Sequence, residues 1–201
     1  PCKKNDWDFG SYKRVAKKFF DKDILYLNSH SYPICHDWLK KLCFYKKKNS
    51  IIAPTGSHES ILESIKLKGK LHKIFRYIRR KRKFSKNFNG FPNPHLRTSS
   101  FLINSKHFYQ YIKNKKTNDK DDTLAIESGK DGLTNYFKKK KFDILVVNSD
   151  GNKFKENEWM YSETYHYLKQ LKNIISDKYT RNYLKLSLSK KKISKIKIWG
   201  N

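Results

Sequence analysis

The chain reads as an α/β domain with a mainly parallel sheet flanked by helices. Short apolar runs at 24–27, 50–54 and 142–147 each give way to small or polar residues. Parallel strands buried on both faces look like this where their carboxyl ends open onto a crevice. Stretches with helical spacing alternate with these runs, the rhythm of a parallel sheet. Thirteen Phe, thirteen Tyr and four Trp supply enough apolar surface to close a core despite the charge.

In chain order, residues 10–20 form the first expected helix. Ser11 is its N-cap, and Tyr12, Val15, Ala16 and Phe19 recur on one face. Residues 24–27 are a buried strand ending in Asn28-Ser-His-Ser31. Tyr32-Pro33 breaks the chain before a helix over 34–45, with Trp38, Leu39 and Leu42 inward. Residues 50–54 are a short strand, and Thr55-Gly-Ser-His-Glu-Ser60 is a loop entering another helix. Over 67–84, Leu67, Leu71, Ile74, Phe75 and Ile78 share one face while Lys and Arg cover the rest. Such a basic amphipathic helix either packs its stripe on the core or lies on an anionic membrane surface. Residues 88–94 are a loop, 98–103 a strand, 107–113 a short helix and 113–122 a polar, mobile connection. Residues 131–140 are a helix and 142–147 a strong strand. We therefore divide the chain into a catalytic-type region, 1–151, and a C-terminal extension, 152–201, that packs on it.

The net charge of +28 points first to a polyanion partner. However, only seven of the 46 basic residues are Arg, and bidentate readers of bases and phosphates favour Arg. A specific nucleic acid is therefore not expected, and lysine serves as general surface cover. The three cysteines have no metal-like spacing and point to a reducing compartment. No signal peptide or run of roughly 20 apolar residues is visible. The expected location is cytoplasmic, peripheral on the inner face of the membrane through the basic helix.

Four polar clusters stand out from the lysine background. Asp8-Phe-Gly-Ser-Tyr12 joins an acid to a helix start, where Asp8 caps the helix or accepts hydrogen bonds from a ligand. In the second cluster, Asn28, Ser29, His30 and Ser31 sit where a strand end delivers side chains to a ligand, and His30 is a candidate metal ligand. Asn93-Pro-His-Leu-Arg-Thr98 presents His95 and Arg97, the latter as a phosphate clamp or as half of a buried ion pair. Glu127-Ser-Gly129 offers a carboxylate that is either a general base or the partner of Arg97. His58, in Thr55-Gly-Ser-His58, is a further loop candidate at a helix start. No Ser–His–Asp order, zinc spacing or phosphate-cradling glycine loop is present.

In this order, with Trp38-Leu39, Leu133-Thr134, Asp150-Gly151 and Trp199-Gly200, the clusters resemble bacterial glycosyltransferase-like proteins of the GT-A type, related to glycosyltransferase family 2. The resemblance implies transfer of a sugar from a nucleotide-diphospho-sugar donor to the hydroxyl of a glycan or lipid-linked acceptor in cell-surface polysaccharide synthesis. It places Asp8, residues 28–31 and Arg97 at the donor, Glu127 as catalytic base, and His58 and His95 at the acceptor or in supporting loops. It implies Mg2+ or Mn2+ at His30, although Asn28 and His30 replace the acids of the family's metal motif. It also implies a first strand and nucleotide-binding loop upstream of this sequence. Two other readings compete: a lysine-rich nucleic-acid-binding module, and a non-catalytic relative that only binds carbohydrate.

Overall fold

A computed structural model describes residues 7–64 and 74–200. In chain order the elements are α1 (Trp7–Lys18), β1 (Asp23–Leu27), β2 (Tyr32–Pro33), α2 (Trp38–Phe44), β3 (Ser50–Ala53), β4 (Gly56–Ser57) and α3 (Ile74–Asn87). They continue with β5 (His95–Leu96), β6 (Ser100–Asn104), α4 (Ser105–Ile112), α5 (Lys120–Ser128), α6 (Leu133–Lys139), β7 (Asp143–Val147) and β8 (Lys153–Phe154). A 3-10 helix, Glu156–Ser162, precedes β9 (Ile175–Ser176), α7 (Lys178–Leu184) and α8 (Leu188–Trp199).

The fold is mixed α/β, and the sheet is not mainly parallel. Its order is β1-β6-β3-β7-β8. β6 lies antiparallel to β1 and to β3, β8 antiparallel to β7, and only β3 and β7 run parallel. The expectation failed because a continuous apolar run reports burial on two faces and says nothing about the direction of a neighbour. Both faces are indeed covered. Ile51, Phe101, Ile103, Ile144 and Val146 face α1, α4 and α6 through Phe9, Phe108, Ile112 and Phe137. Ile52, Leu102, Leu145 and Val147 face the other way, onto Leu42, Ile174 and Ile175. This is the two-residue alternation of a strand with a core on each side.

Several boundaries differ from expectation. α1 starts at Trp7, so Asp8 falls in its first turn, where the helix dipole favours an acid, and Ser11 lies inside the helix. α2 starts only at Trp38, because β2 is paired to β9 and Asp37 sits in the left-handed region. Thr55 leads into β4, which pairs with β5, so the expected helix start beside His58 is absent at that point. The expected helix over 67–84 is described only from Ile74; residues 65–73 lie outside the described residues. The connection expected over 113–122 turns helical at Lys120, because Asp119 accepts a hydrogen bond from the Asp122 amide (2.7 Å).

The C-terminal segment shares the main core: Trp159, Tyr165, Ile198 and Trp199 pack in the same cluster as α1 and β6. The Trp199 indole donates to the Tyr165 carbonyl (2.9 Å). Among the described residues no helix is long and apolar enough to cross a membrane.

Candidate functional site

β1 and β3 are both antiparallel to β6, and β7 is parallel to β3, so the carboxyl ends of β1, β3 and β7 share one edge of the sheet. The turn at 28–31, the segment around Thr55 and the start of β6 therefore meet there. The Asn28 amide donates to the Ser99 carbonyl (3.0 Å), and the Arg97 amide to the Thr55 carbonyl (3.0 Å).

Arg97 follows β5, and Glu127 is on the last turn of α5. That helix ends at Gly129, where a Cβ would stand 2.5 Å from the Ala125 carbonyl oxygen. Arg97 Nη1 lies 3.2 Å from Glu127 Oε1, and each side chain is 13% exposed. Thr98 Oγ1 donates to Glu127 Oε2 (3.0 Å), which fixes the carboxylate. The guanidinium lies over the rings of Tyr165 (5.1 Å) and Tyr179 (4.8 Å). Burial is the largest single influence and opposes the Arg97 charge, but Glu127, Tyr165, Asp177 and Tyr179 together outweigh it, so the pKa is raised. Glu127 is thus an ion-pair partner of Arg97.

Tyr12 brings in α1. Burial pushes its phenol up, and the charges of Asp8 and Glu127 push the same way. The Asp8 carboxyl is itself pushed up by partial burial and pulled back by the His30 imidazole. Asp8, Tyr12, His30, Arg97 and Glu127 thus form one electrostatically linked neighbourhood.

Ten buried side-chain atoms among the described residues have no hydrogen-bond partner, and Tyr12 Oη, Arg97 Nε, Glu127 Oε1 and Asp177 Oδ2 are among them. Buried polar groups without partners are uncommon and call for an explanation. Of these four, two are donors and two are acceptors. The half-exposed Tyr179 ring lies over the guanidinium as a cover.

The turn at 28–31 is held internally. Asn28 Oδ1 accepts from the His30 amide (3.0 Å) and from Ser31 Oγ (2.8 Å). Ser29 and His30 are exposed. Arg181 Nη2 donates to the His30 carbonyl (3.1 Å), and its guanidinium covers Tyr32 (5.1 Å), so α7 clamps this turn. No three His, Cys, Asp or Glu side chains gather to hold a metal ion among the described residues. With the Asn28 oxygen already engaged, this donor set does not fit a carboxylate-bound divalent cation.

The two remaining histidines lie apart from that turn. His95 is 4% exposed, and its Nδ1 lies 2.8 Å from the Asn93 carbonyl. Burial lowers its pKa. His58 contacts the rings of Trp159 and Trp199 and the Glu156 carbonyl (3.3 Å), with its pKa lowered by burial.

Sequence reasoning missed Tyr12 Oη, Tyr165, Asp177, Tyr179 and Arg181 as parts of this site. One signal for the last three was available: Ser176-Asp-Lys-Tyr-Thr-Arg181 is a further polar cluster following an apolar pair, Ile174-Ile175. Its Asp177-x-x-Thr180 box caps α7, with the Thr180 amide donating to Asp177 Oδ1 (2.7 Å). Comparison with protein-family models, with curated proteins and with solved structures finds no match for this chain.

Proposed function

We propose that this chain is the catalytic part of a GT-A-type glycosyltransferase that moves a sugar from a nucleotide-diphospho-sugar to a glycan or lipid-linked acceptor hydroxyl. The observation that carries the reading is the set of buried atoms around Arg97 that make no hydrogen bond. Two donors and two acceptors in one neighbourhood match a polyhydroxylated ligand, whose hydroxyls each donate and accept. The Arg97 cation and the nearby turn at 28–31 suit a diphosphate.

In the proposed reaction the acceptor oxygen forms a bond to the anomeric carbon as the bond from that carbon to the diphosphate oxygen breaks. The acceptor proton passes to Glu127, whose Oε1 stands 3.2 Å from the Arg97 guanidinium without a hydrogen bond while Thr98 holds Oε2. The nucleoside diphosphate leaves with the bonding electron pair, its charge balanced by Arg97. Asp8, Asn28, Ser29, His30 and Ser31 line the donor side.

The test is release of nucleoside diphosphate from a panel of nucleotide-sugars, with Tyr12→Phe as the main variant. Removing an unpartnered buried hydroxyl leaves stability unchanged or raised. Turnover or donor affinity is expected to fall about tenfold, the worth of one hydrogen bond to a bound ligand. Wild-type donor binding that Tyr12→Phe leaves untouched would remove this neighbourhood from the donor site. Salt-sensitive binding of oligonucleotides without nucleotide-sugar binding would favour the nucleic-acid reading.

A further inference from the structure

α3 carries two faces. Phe84 and, just beyond the helix, Phe88 point inward. Phe84 and Phe88 are 2% and 3% exposed with their rings stacked at 5.1 Å, and Arg80 covers Phe84. The helix is tied down by Lys83 to Asp121 of α5 (2.7 Å) and by the Lys130 amide to the Asn87 carbonyl (2.8 Å). Phe75, Ile78, Arg79, Arg82 and Lys86 follow at spacings of three and four and so share the opposite face. All five are exposed, Phe75 at 84% and Ile78 at 39%. Among the described residues Arg79, Arg82 and Lys86 form no ion pair with a carboxylate.

The core therefore takes the C-terminal half of this helix through a stripe other than the one the sequence pattern marked. It leaves an aromatic and an aliphatic side chain projecting outward among cations. A solvated surface helix gains nothing from Phe75 in that position. A bilayer interface takes both chemistries at once: the apolar pair enters the acyl boundary and the cations meet anionic headgroups. Single-stranded nucleic acid would use the cations and the Phe75 ring, but an aliphatic Ile78 offers no stacking platform.

We propose that the outer face of α3 docks this protein on an anionic membrane surface. Phe75 and Ile78 insert, and Arg79, Arg82 and Lys86 contact lipid phosphates. From α3 the chain runs directly through residues 88–94 to Arg97, so the helix that rests on the bilayer also carries the segment that enters the candidate site.

The test is co-sedimentation of the full chain with vesicles of phosphatidylcholine alone and of phosphatidylcholine mixed with phosphatidylglycerol. Binding is expected only to the mixed vesicles, weakening with salt. Phe75→Ser/Ile78→Ser should weaken partitioning at least about tenfold through lost apolar burial. Arg79→Ser/Arg82→Ser should weaken it about twentyfold. The charge-matched control Lys190→Ser/Lys192→Ser, on exposed positions of α8, should change it less than about threefold. The substituted positions are exposed, and an unchanged thermal transition verifies folding. No binding to the mixed vesicles overturns the proposal, as do equal losses from both charge-changing pairs with none from Phe75→Ser/Ile78→Ser. Loss of polyuridylate binding in Phe75→Ser/Ile78→Ser with vesicle binding intact overturns it in favour of RNA.

Discussion

Glu127→Gln should destabilise this protein more than any other nearly isosteric change at the candidate site. The substitution keeps the side-chain shape and leaves an amide oxygen for the Thr98 hydroxyl. What it removes is the countercharge of a guanidinium enclosed by Tyr165 and Tyr179. Breaking a buried ion pair by deleting one partner costs about 3–5 kcal/mol, because the remaining charge stays buried. The residual 13% exposure of each side chain, with Asp177 close by, argues for the lower end, about 3 kcal/mol. For a chain of this size that lowers the melting temperature by about 6–12 °C. Urea unfolding followed by circular dichroism measures it, with Arg97→Met and the double variant completing a cycle. The double variant should be more stable than Glu127→Gln alone, with a coupling of about 2 kcal/mol. A loss below about 1 kcal/mol for Glu127→Gln, additive with Arg97→Met, would show that the pair is solvated and that the enclosed cation is not a feature of the folded protein.

Gly56→Ala places a Cβ 2.6 Å from Trp159 Cε3 and 3.2 Å from Val146 Cγ2. Trp159 is fully buried, so the ring cannot swing aside, and the expected cost is about 1–3 kcal/mol in urea midpoint with an unchanged slope. A neutral result would mean that the 3-10 helix packs more loosely on β4 than described. His166 lies between the rings of Tyr165 and Tyr183, and burial, then the Arg97 charge, lowers its pKa to about 4. The unfolded chain therefore takes up that proton first as the pH falls. Stability is lost from about pH 6.5 down to about pH 4, by at most about 3 kcal/mol. His166→Asn should flatten that part of the stability–pH curve, and an unchanged slope would exclude His166 as its source.

The strands at β3 and β7 were legible because four or five consecutive apolar residues between turn residues leave little alternative. Their directions were not. β6 turns the sheet antiparallel, and its sequence, Ser-Phe-Leu-Ile-Asn, is as apolar as that of a parallel strand. The polar clusters on α1, at 28–31, at 93–98 and at Glu127 were found as departures from a lysine background, and among them Arg97 and Glu127 meet in an ion pair. Tyr12 passed for a core residue, since its ring is one and only its hydroxyl faces the acids. Tyr165 and Tyr179 were invisible for another reason. Their contact with Arg97 exists only because the C-terminal segment folds back over the sheet, which no local pattern encodes. The basic helix was legible as amphipathic, but which apolar residues turn inward was settled by the stacked Phe84 and Phe88 at its far end.

The parallel pairing of β3 with β7 has a consequence for synthesis. Everything from β4 to α6 emerges from the ribosome before β3 meets this neighbour, and such long-range closure is slow. Until Tyr165 and Tyr179 follow, Arg97 has its carboxylate partner but no aromatic enclosure. A nascent chain therefore holds this cation without its aromatic neighbours until Tyr165 and α7 leave the exit tunnel.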